Sequence, residues 1–230
     1  MHNAPGLPVG AFATRKGPFM AASDTWTATF LGSGGHGGAA AHLAADTTIV
    51  AAQFIMAIQT IVSRSVKATE TAVVSVGHVS GGDFNSPAII PARMVVRGTA
   101  RSYAPEVRDL LEKRLGELAR STAAAHGCTV EFDYHRRYPP LVNHPEQTDI
   151  AAAAARALVG DSVNAEALPL TGSEDFSFML NARPGAFVLI GAGAAPDGAF
   201  HDVHTRYDFN DDILTLGAGY WVSLVHEELG

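Results

Sequence analysis

The side chains best equipped for chemistry are histidines, acids and an arginine set near glycines. His36 lies between Gly34-Gly35 and Gly37. Glycines let backbone approach closely, so this histidine is either a turn residue or a group held against a reacting atom. Glu174 and Asp175 follow Gly172-Ser173. Negative charge is favourable at a helix N-terminus, so the pair reads as capping a helix. His201 and His204 fall beyond Gly198 in what reads as an exposed polar loop. His2, taken alone, is a solvated side chain near a chain end, and Arg101 is a strand residue facing solvent. His78, His126, His135, His144 and His226 stand in no motif and read as structural or surface groups. Nucleophilic catalysis lacks support, because no Gly-x-Ser-x-Gly elbow surrounds Ser173. Gly32-Ser33-Gly34-Gly35 lacks the Lys-Ser/Thr that completes a phosphate loop.

These groups are carried by 230 residues, 47% apolar and 17% charged. That is enough for one large domain or two small ones. The net charge of -7, without a Lys/Arg cluster, argues against nucleic acid and anionic membrane as partners. No apolar run reaches the ~20 residues that span a bilayer. Cys128 is the single cysteine, which rules out an intrachain disulfide and fits a reducing compartment such as the cytoplasm.

Alternation and helical spacing place the elements. Residues 25–30 alternate Trp26, Ala28 and Phe30 against three threonines, a half-buried strand. Asp46 caps a helix whose apolar face is Val50, Phe54, Ala57, Ile58 and Ile61. Strands follow over 72–79 and 94–99, separated by turn chemistry at 81–87. Pro105 opens a helix with Val107, Leu110, Leu111, Leu115 and Leu118 on one face, and Gly127 ends it. Residues 128–134 alternate again, with Cys128 on the apolar face. The order β-α-β-β-α-β over 25–135 predicts a ferredoxin-like unit, a four-stranded antiparallel sheet with two helices on one face. Its edge strand invites pairing, so a homodimer through this unit is expected. The flanks carry a strand-like run over 9–20, an Ala-rich helix over 149–159, a helix start at 172–175, a strand over 186–192 and a last helix over 211–228. They read as pieces of one α/β domain: residues 1–24 and 136–230 around the inserted unit 25–135.

Five segments, in order, resemble the metal-dependent amidohydrolases of the hippurate hydrolase and N-acyl-amino-acid amidohydrolase type. They are His2-Asn3-Ala4-Pro5-Gly6-Leu7-Pro8-Val9-Gly10, Gly34-Gly35-His36-Gly37, Arg97-Gly98-Thr99-Ala100-Arg101, Gly172-Ser173-Glu174-Asp175-Phe176 and Tyr207-Asp208-Phe209-Asn210-Asp211. The resemblance implies a partial metallopeptidase-like α/β domain with an inserted lid that also dimerises. It implies hydrolysis of the amide linking an acyl group to an amino acid, with two divalent metals activating a water and a Glu as general base. Zn, Mn, Ni and Co all suit such ligands. It assigns His2 and His204 as metal ligands and gives His36 the oxyanion, in the partner subunit's site. Arg101 would clamp the substrate carboxylate, and Gly172 and Glu174 would line the site.

The sequence departs from that pattern in four places. The family's N-terminal segment, with its Cys/His-x-His and Glu-Glu pairs, has no counterpart, so the chain is expected to be the C-terminal portion of such an enzyme. The lid loop from His36 to His42 is one residue longer, with Ala41 in place of a proline. Ala88 stands where the family has a carboxylate-binding Asn, and Asn85 replaces it only if the loop folds back. His204-Thr205-Arg206-Tyr207 is one residue short, which makes His201 a competing ligand. These departures motivate an alternative, a catalytically inactive dimerisation or binding module. Missing strands are expected to leave Phe187, Leu189 and Ile190 partly exposed.

Overall fold

The computed structural model describes residues 1–193 and 207–230. The chain forms two compact units, Met1–Met20 with Leu141–Gly230, and Ala21–Pro140. Elements are numbered along the chain.

In the first unit, β1 (His2–Pro5) and β2 (Phe12–Ala13) join β11 (Val163–Asn164) and β12 (Leu189–Gly193) in the order β1-β12-β2-β11. β1 runs parallel to β12, with His2 opposite Leu189 and Ala4 opposite Gly191. β3 (Gly17–Met20) pairs separately with β10 (Leu141–Asn143). Helices α3 (Pro145–Val159) and α5 (Leu214–Leu229) pack together over Phe12, Ile190 and Tyr220, and Phe12 meets Tyr220 at 5.2 Å between ring centres. The short α4 (Phe176–Ala182) covers Phe19, Leu141, Phe187 and Leu189. Phe187, Leu189 and Ile190 are therefore buried, contrary to expectation, because α3, α4 and α5 already cover the sheet. The Ala-rich helix starts earlier than its alanines indicate, with Pro145 in the first turn, where a missing N–H costs nothing.

Asn143 holds the centre of this unit. It is buried, its amide nitrogen donates to the carbonyls of Phe187 (3.1 Å) and Arg15 (3.0 Å), and its oxygen accepts from Phe187 N (2.7 Å). One side chain thus satisfies three backbone groups from two separate segments, as a buried amide must.

In the second unit, β4 (Ser23–Leu31), β6 (Ala72–Gly81), β8 (Arg93–Ser102) and β9 (Thr129–Tyr138) form one antiparallel sheet in the order β6-β8-β4-β9. β5 (Gly35–His36) and β7 (Ile89–Ile90) form a small separate ladder. Helices α1 (Thr47–Thr60) and α2 (Pro105–Ala125) share one core with the sheet. Trp26 and Phe30 meet Phe54 edge-on at 5.8 and 5.3 Å. Asp46 accepts from Thr48 N at 2.8 Å, the expected cap, and Gly127 has φ 67°. Gly98 lies opposite Trp26, and a Cβ there would fall 2.0 Å from Ser75 O and 2.3 Å from the indole ring. The stretch Thr47–Ser65 has a mean hydropathy of 1.2 over its most apolar window, and it turns Val50, Phe54, Ile58 and Ile61 into this core.

Asp24 is 1% exposed and Arg108 8%. Arg108 Nε and Nη2 donate to the two carboxylate oxygens at 2.8 and 2.5 Å, Tyr134 donates at 2.8 Å, and Arg137 N at 3.2 Å. Burial, then the Asp24 charge, pushes the Tyr134 hydroxyl well above its usual range, so it stays a donor.

Candidate functional site

The two motif segments in the first unit that carry residues 2–10 and 207–211 meet on β12. Asn3 Nδ2 donates to the Tyr207 hydroxyl, and Asn210 Nδ2 donates to Ala192 O at 3.0 Å. Gly10 N donates to Gly191 O at 3.0 Å, and Gly191 N to Ala11 O at 2.7 Å. A Cβ on Gly191 would lie 2.0 Å from Pro8 O, so the residue 6–10 turn can lie flat on β12 only with glycine there. These contacts fix the strand that presents His2.

His2 is exposed on β1, and its Nδ1 lies 2.6 Å from Asn3 O. A carbonyl only accepts, so Nδ1 carries the proton and Nε2 of the neutral ring keeps its lone pair. That tautomer is the one a metal ligand at Nε2 requires. His36 is exposed on β5, opposite Ile89, and its Nδ1 accepts from Ala39 N at 3.1 Å. Its Nε2 therefore holds the proton in the neutral ring and is a donor. The two imidazoles are set in opposite tautomers, one to give a lone pair and one to give a hydrogen bond.

Arg101 lies on β8, where Nη1 donates to Thr99 Oγ1 and to Ala100 O. Partial burial lowers its pKa, Asp24 opposes that shift, and the guanidinium remains charged. Asn85 is exposed in the turn before β7, and its backbone N donates to Asp83 Oδ1 at 2.9 Å. In the first unit, Gly172 lies against Met20, 3.2 Å from a notional Cβ. Glu174 is half-buried, and its carbonyl accepts from Ser177 Oγ at 2.7 Å. Asp175 stands at the start of α4 without a side-chain capping bond. His201 and His204 lie outside the described residues.

Among the described residues, no three His, Cys, Asp or Glu side chains are grouped to hold a metal ion. His2 alone does not fit two divalent cations, since an imidazole offsets none of their charge. Sequence reasoning passed over Asn3, Tyr207, Asn143 and the Asp24–Arg108–Tyr134 cluster. Only the first two had a signal, because both stand inside motif segments.

Comparison with known proteins places these features. Peptidase family M20/M25/M40 matches residues 1–227. The chain is 32% identical over 224 residues to an N-acetylcysteine deacetylase of Bacillus subtilis, covering 97% of this chain and 57% of the relative. It is 31% identical over 226 residues to a hippurate hydrolase of Campylobacter jejuni, again 97% and 57%. A solved Bacillus subtilis structure, described as a dinuclear metal binding peptidase of the M20 family, superposes with a TM-score of 0.74 at 28% identity, covering 97% of this chain and 55% of that one. The chain thus spans little more than half the length of these relatives. The match along nearly its whole length is decisive: the chain belongs to peptidase family M20/M25/M40.

Proposed function

We propose that this chain is the lid and C-terminal catalytic segment of a divalent-metal amidohydrolase that cleaves N-acyl amino acids of the hippurate kind. The carrying observation is its alignment, over 97% of its length, with relatives named for amide hydrolysis. The four-stranded sheet with α1 and α2 has the strand order of a ferredoxin-like unit and serves as the lid, residues 25–135, between catalytic segments 1–24 and 136–230.

The residues take separate roles. His2, with its bare Nε2, offers one metal ligand, and His204, with His201 as its competitor, another. His36, donating from Nε2, stabilises the oxyanion of the tetrahedral intermediate. Arg101 binds the substrate carboxylate, and Asn85, Gly172 and Glu174 line the substrate. The remaining ligands and the general base come from the counterpart of the rest of the relatives' length, either upstream in the same gene or on a second polypeptide. The lid pairs with a second copy through β6, an edge strand with Val73 and Val79 exposed. A monomer in sedimentation at micromolar concentration would remove that pairing. One buried thiol, Cys128, fits a cytoplasmic setting.

The test is glycine release from hippurate with Mn or Zn added, by the chain alone and together with the rest of a family catalytic domain. EDTA-sensitive turnover in the mixture, abolished by His2→Ala, is the expected result. No turnover in either case favours the second reading, an inactive dimerisation module, for which Ala88 and, among the described residues, the ungrouped donors speak.

A further inference from the structure

Asp24 anchors two arginines besides Arg108. β4 runs between β8 and β9, with Ala100 opposite Asp24 on one side and Arg136 on the other. The pairing with β9 slips between Ser23 and Asp24, so Arg137 is the extra residue of a bulge, a device that re-aims a side chain. Arg137 N donates to Asp24 Oδ1 at 3.2 Å. On the other strand, Thr99 Oγ1 donates to Asp24 O at 2.8 Å and accepts from Arg101 Nη1. One buried residue thus holds the root of Arg137 through its carboxylate and the guanidinium of Arg101 through its carbonyl. Two strands that flank a shared neighbour lie about 10 Å apart, a span that two arginine side chains can close on a small ligand.

The charges gathered here do not balance. Arg108 takes Asp24 at 2.5 Å, and Arg136 takes both Asp109 and Glu112 at 2.6 Å. Among the described residues, neither Arg101 nor Arg137 has a carboxylate in ion-pair contact. Arg101 commits Nη1 to Thr99 Oγ1 and Ala100 O, which leaves Nε and Nη2 as a fork for a carboxylate. Arg137 is exposed, with its guanidinium carbon 5.9 Å from the Tyr138 ring centre. Burial lowers the Arg101 pKa, Asp24 opposes that, and the nearby charge of Arg137 lowers it again. In a chain of net charge -7, two neighbouring guanidiniums without counter-charges await anions. A buried ion pair is a poor source of stability, so the Asp24 cluster makes better sense as the scaffold for this pair.

Resting on the amidohydrolase reading above for the role of Arg101, we propose that Arg101 and Arg137 form a two-carboxylate site. Arg101 takes the α-carboxylate of the amino acid and Arg137 takes a carboxylate on its side chain. The preferred substrates are then N-acyl derivatives of glutamate or aspartate, with glycine derivatives bound more weakly. A compact dianion such as sulfate needs both guanidiniums on one centre. A dicarboxylate accepts them apart, as their anchoring on separate strands sets them.

Three probes isolate the second carboxylate: hippurate, N-benzoyl-L-glutamine and N-benzoyl-L-glutamate, the last two differing only in a neutral or charged side-chain end. Each is titrated into the full chain, and the side-chain Nε–H signals of Arg101 and Arg137 are followed by NMR. The glutamate derivative is expected to bind roughly tenfold more tightly than the glutamine derivative and to shift both signals. Arg137→Gln should bring that ratio to about one without weakening the glutamine derivative, and Arg137→Lys should keep part of it. Arg64→Gln, an exposed arginine on the helical layer, should leave the ratio unchanged. Arg137 is anchored to Asp24 by its backbone, so Arg137→Gln retains the fold, as an unchanged melt would verify. Equal binding of the glutamate and glutamine derivatives, or a preference that survives Arg137→Gln, overturns the proposal. Displacement by an equal concentration of sulfate overturns it in favour of an unselective anion site, and binding of none of the three probes also overturns it. Hydrolysis is read separately, with the rest of a family catalytic domain added. A glutamate preference in binding without turnover of any probe defeats the amidohydrolase reading and leaves the two-carboxylate site standing. Turnover of hippurate without a glutamate preference defeats the two-carboxylate site alone.

Discussion

Replacing Asp24 with alanine is expected to be among the most damaging single changes to unit Ala21–Pro140. The carboxylate accepts from Arg108 twice, from the Tyr134 hydroxyl and from Arg137 N. Its removal leaves the Arg108 guanidinium, 8% exposed, without a counter-charge. Breaking a buried pair by deleting one partner costs about 3–5 kcal/mol. The orphaned hydroxyl and amide push the value to the upper end, since an unsatisfied buried donor costs about 1–3 kcal/mol. For a chain of this size each kcal/mol lowers Tm by about 2–4 °C, so the loss is about 6–20 °C. The assay is thermal and urea unfolding followed by fluorescence in a Trp221→Phe background, where the buried Trp26 reports this unit. The double variant Asp24→Ala with Arg108→Met should be less destabilised than the sum of the single changes, because the charge left behind is removed with its partner. A loss below about 1 kcal/mol for Asp24→Ala would refute the reasoning, since it would mean that water already reaches the cluster.

Further expectations concern the cores and the alkaline limit. Gly98→Ala forces a methyl into Ser75 O and Trp26 and should cost about 1–3 kcal/mol or more in urea unfolding, whereas Gly77→Ala, with nothing within 4 Å of its Cβ, should change little. Asn143→Ala should lower the unfolding midpoint by an amount worth about 3 kcal/mol, because it strands the Phe187 N–H and the Arg15 carbonyl inside the first unit, while Phe187 O keeps the Thr14 hydroxyl; a change near zero would show that water replaces the amide. Burial pushes the Tyr220 hydroxyl up to about 12. Its folded pKa exceeds the unfolded value near ~10, so its contribution is fully present below pH ~10 and is lost as pH rises towards 12. Stability measured across that window should fall by the order of 2 kcal/mol, and Tyr220→Phe should flatten the fall.

Period-based features are legible in the sequence itself. Trp26, Ala28 and Phe30 alternate and do face the helices, and the Asp46 cap and Gly127 turn stand where their chemistry puts them. Contacts between distant residues were not legible. Asp24 meets Arg108 across 84 positions and Tyr134 across 110, and no local pattern announces such a pairing. β1 was hidden because His2–Pro5 is too short for a period to show, and it is a strand only because Leu189–Gly193 lies beside it. The expected exposure of Phe187 and Ile190 failed for a related reason: the cover came from helices, and the uncovered apolar surface moved outward to α5. Within the candidate site, the types of His2 and His36 were readable, but their tautomers depend on Asn3 O and Ala39 N, which only backbone geometry supplies.

The pairing of β1 with β12 also sets a clock. His2 finds its partner strand at Leu189, so β1 must wait unpaired until β12 has been made. At ~5–20 residues per second on the ribosome, that wait is roughly ten to forty seconds. Unit Ala21–Pro140 has all its strands by Tyr138 and can close in the meantime, while Phe12 and Phe19 stay without the core that later buries them. During synthesis the nascent chain therefore carries a finished domain next to an unpaired, aromatic segment, and that segment offers a chaperone an apolar stretch to hold.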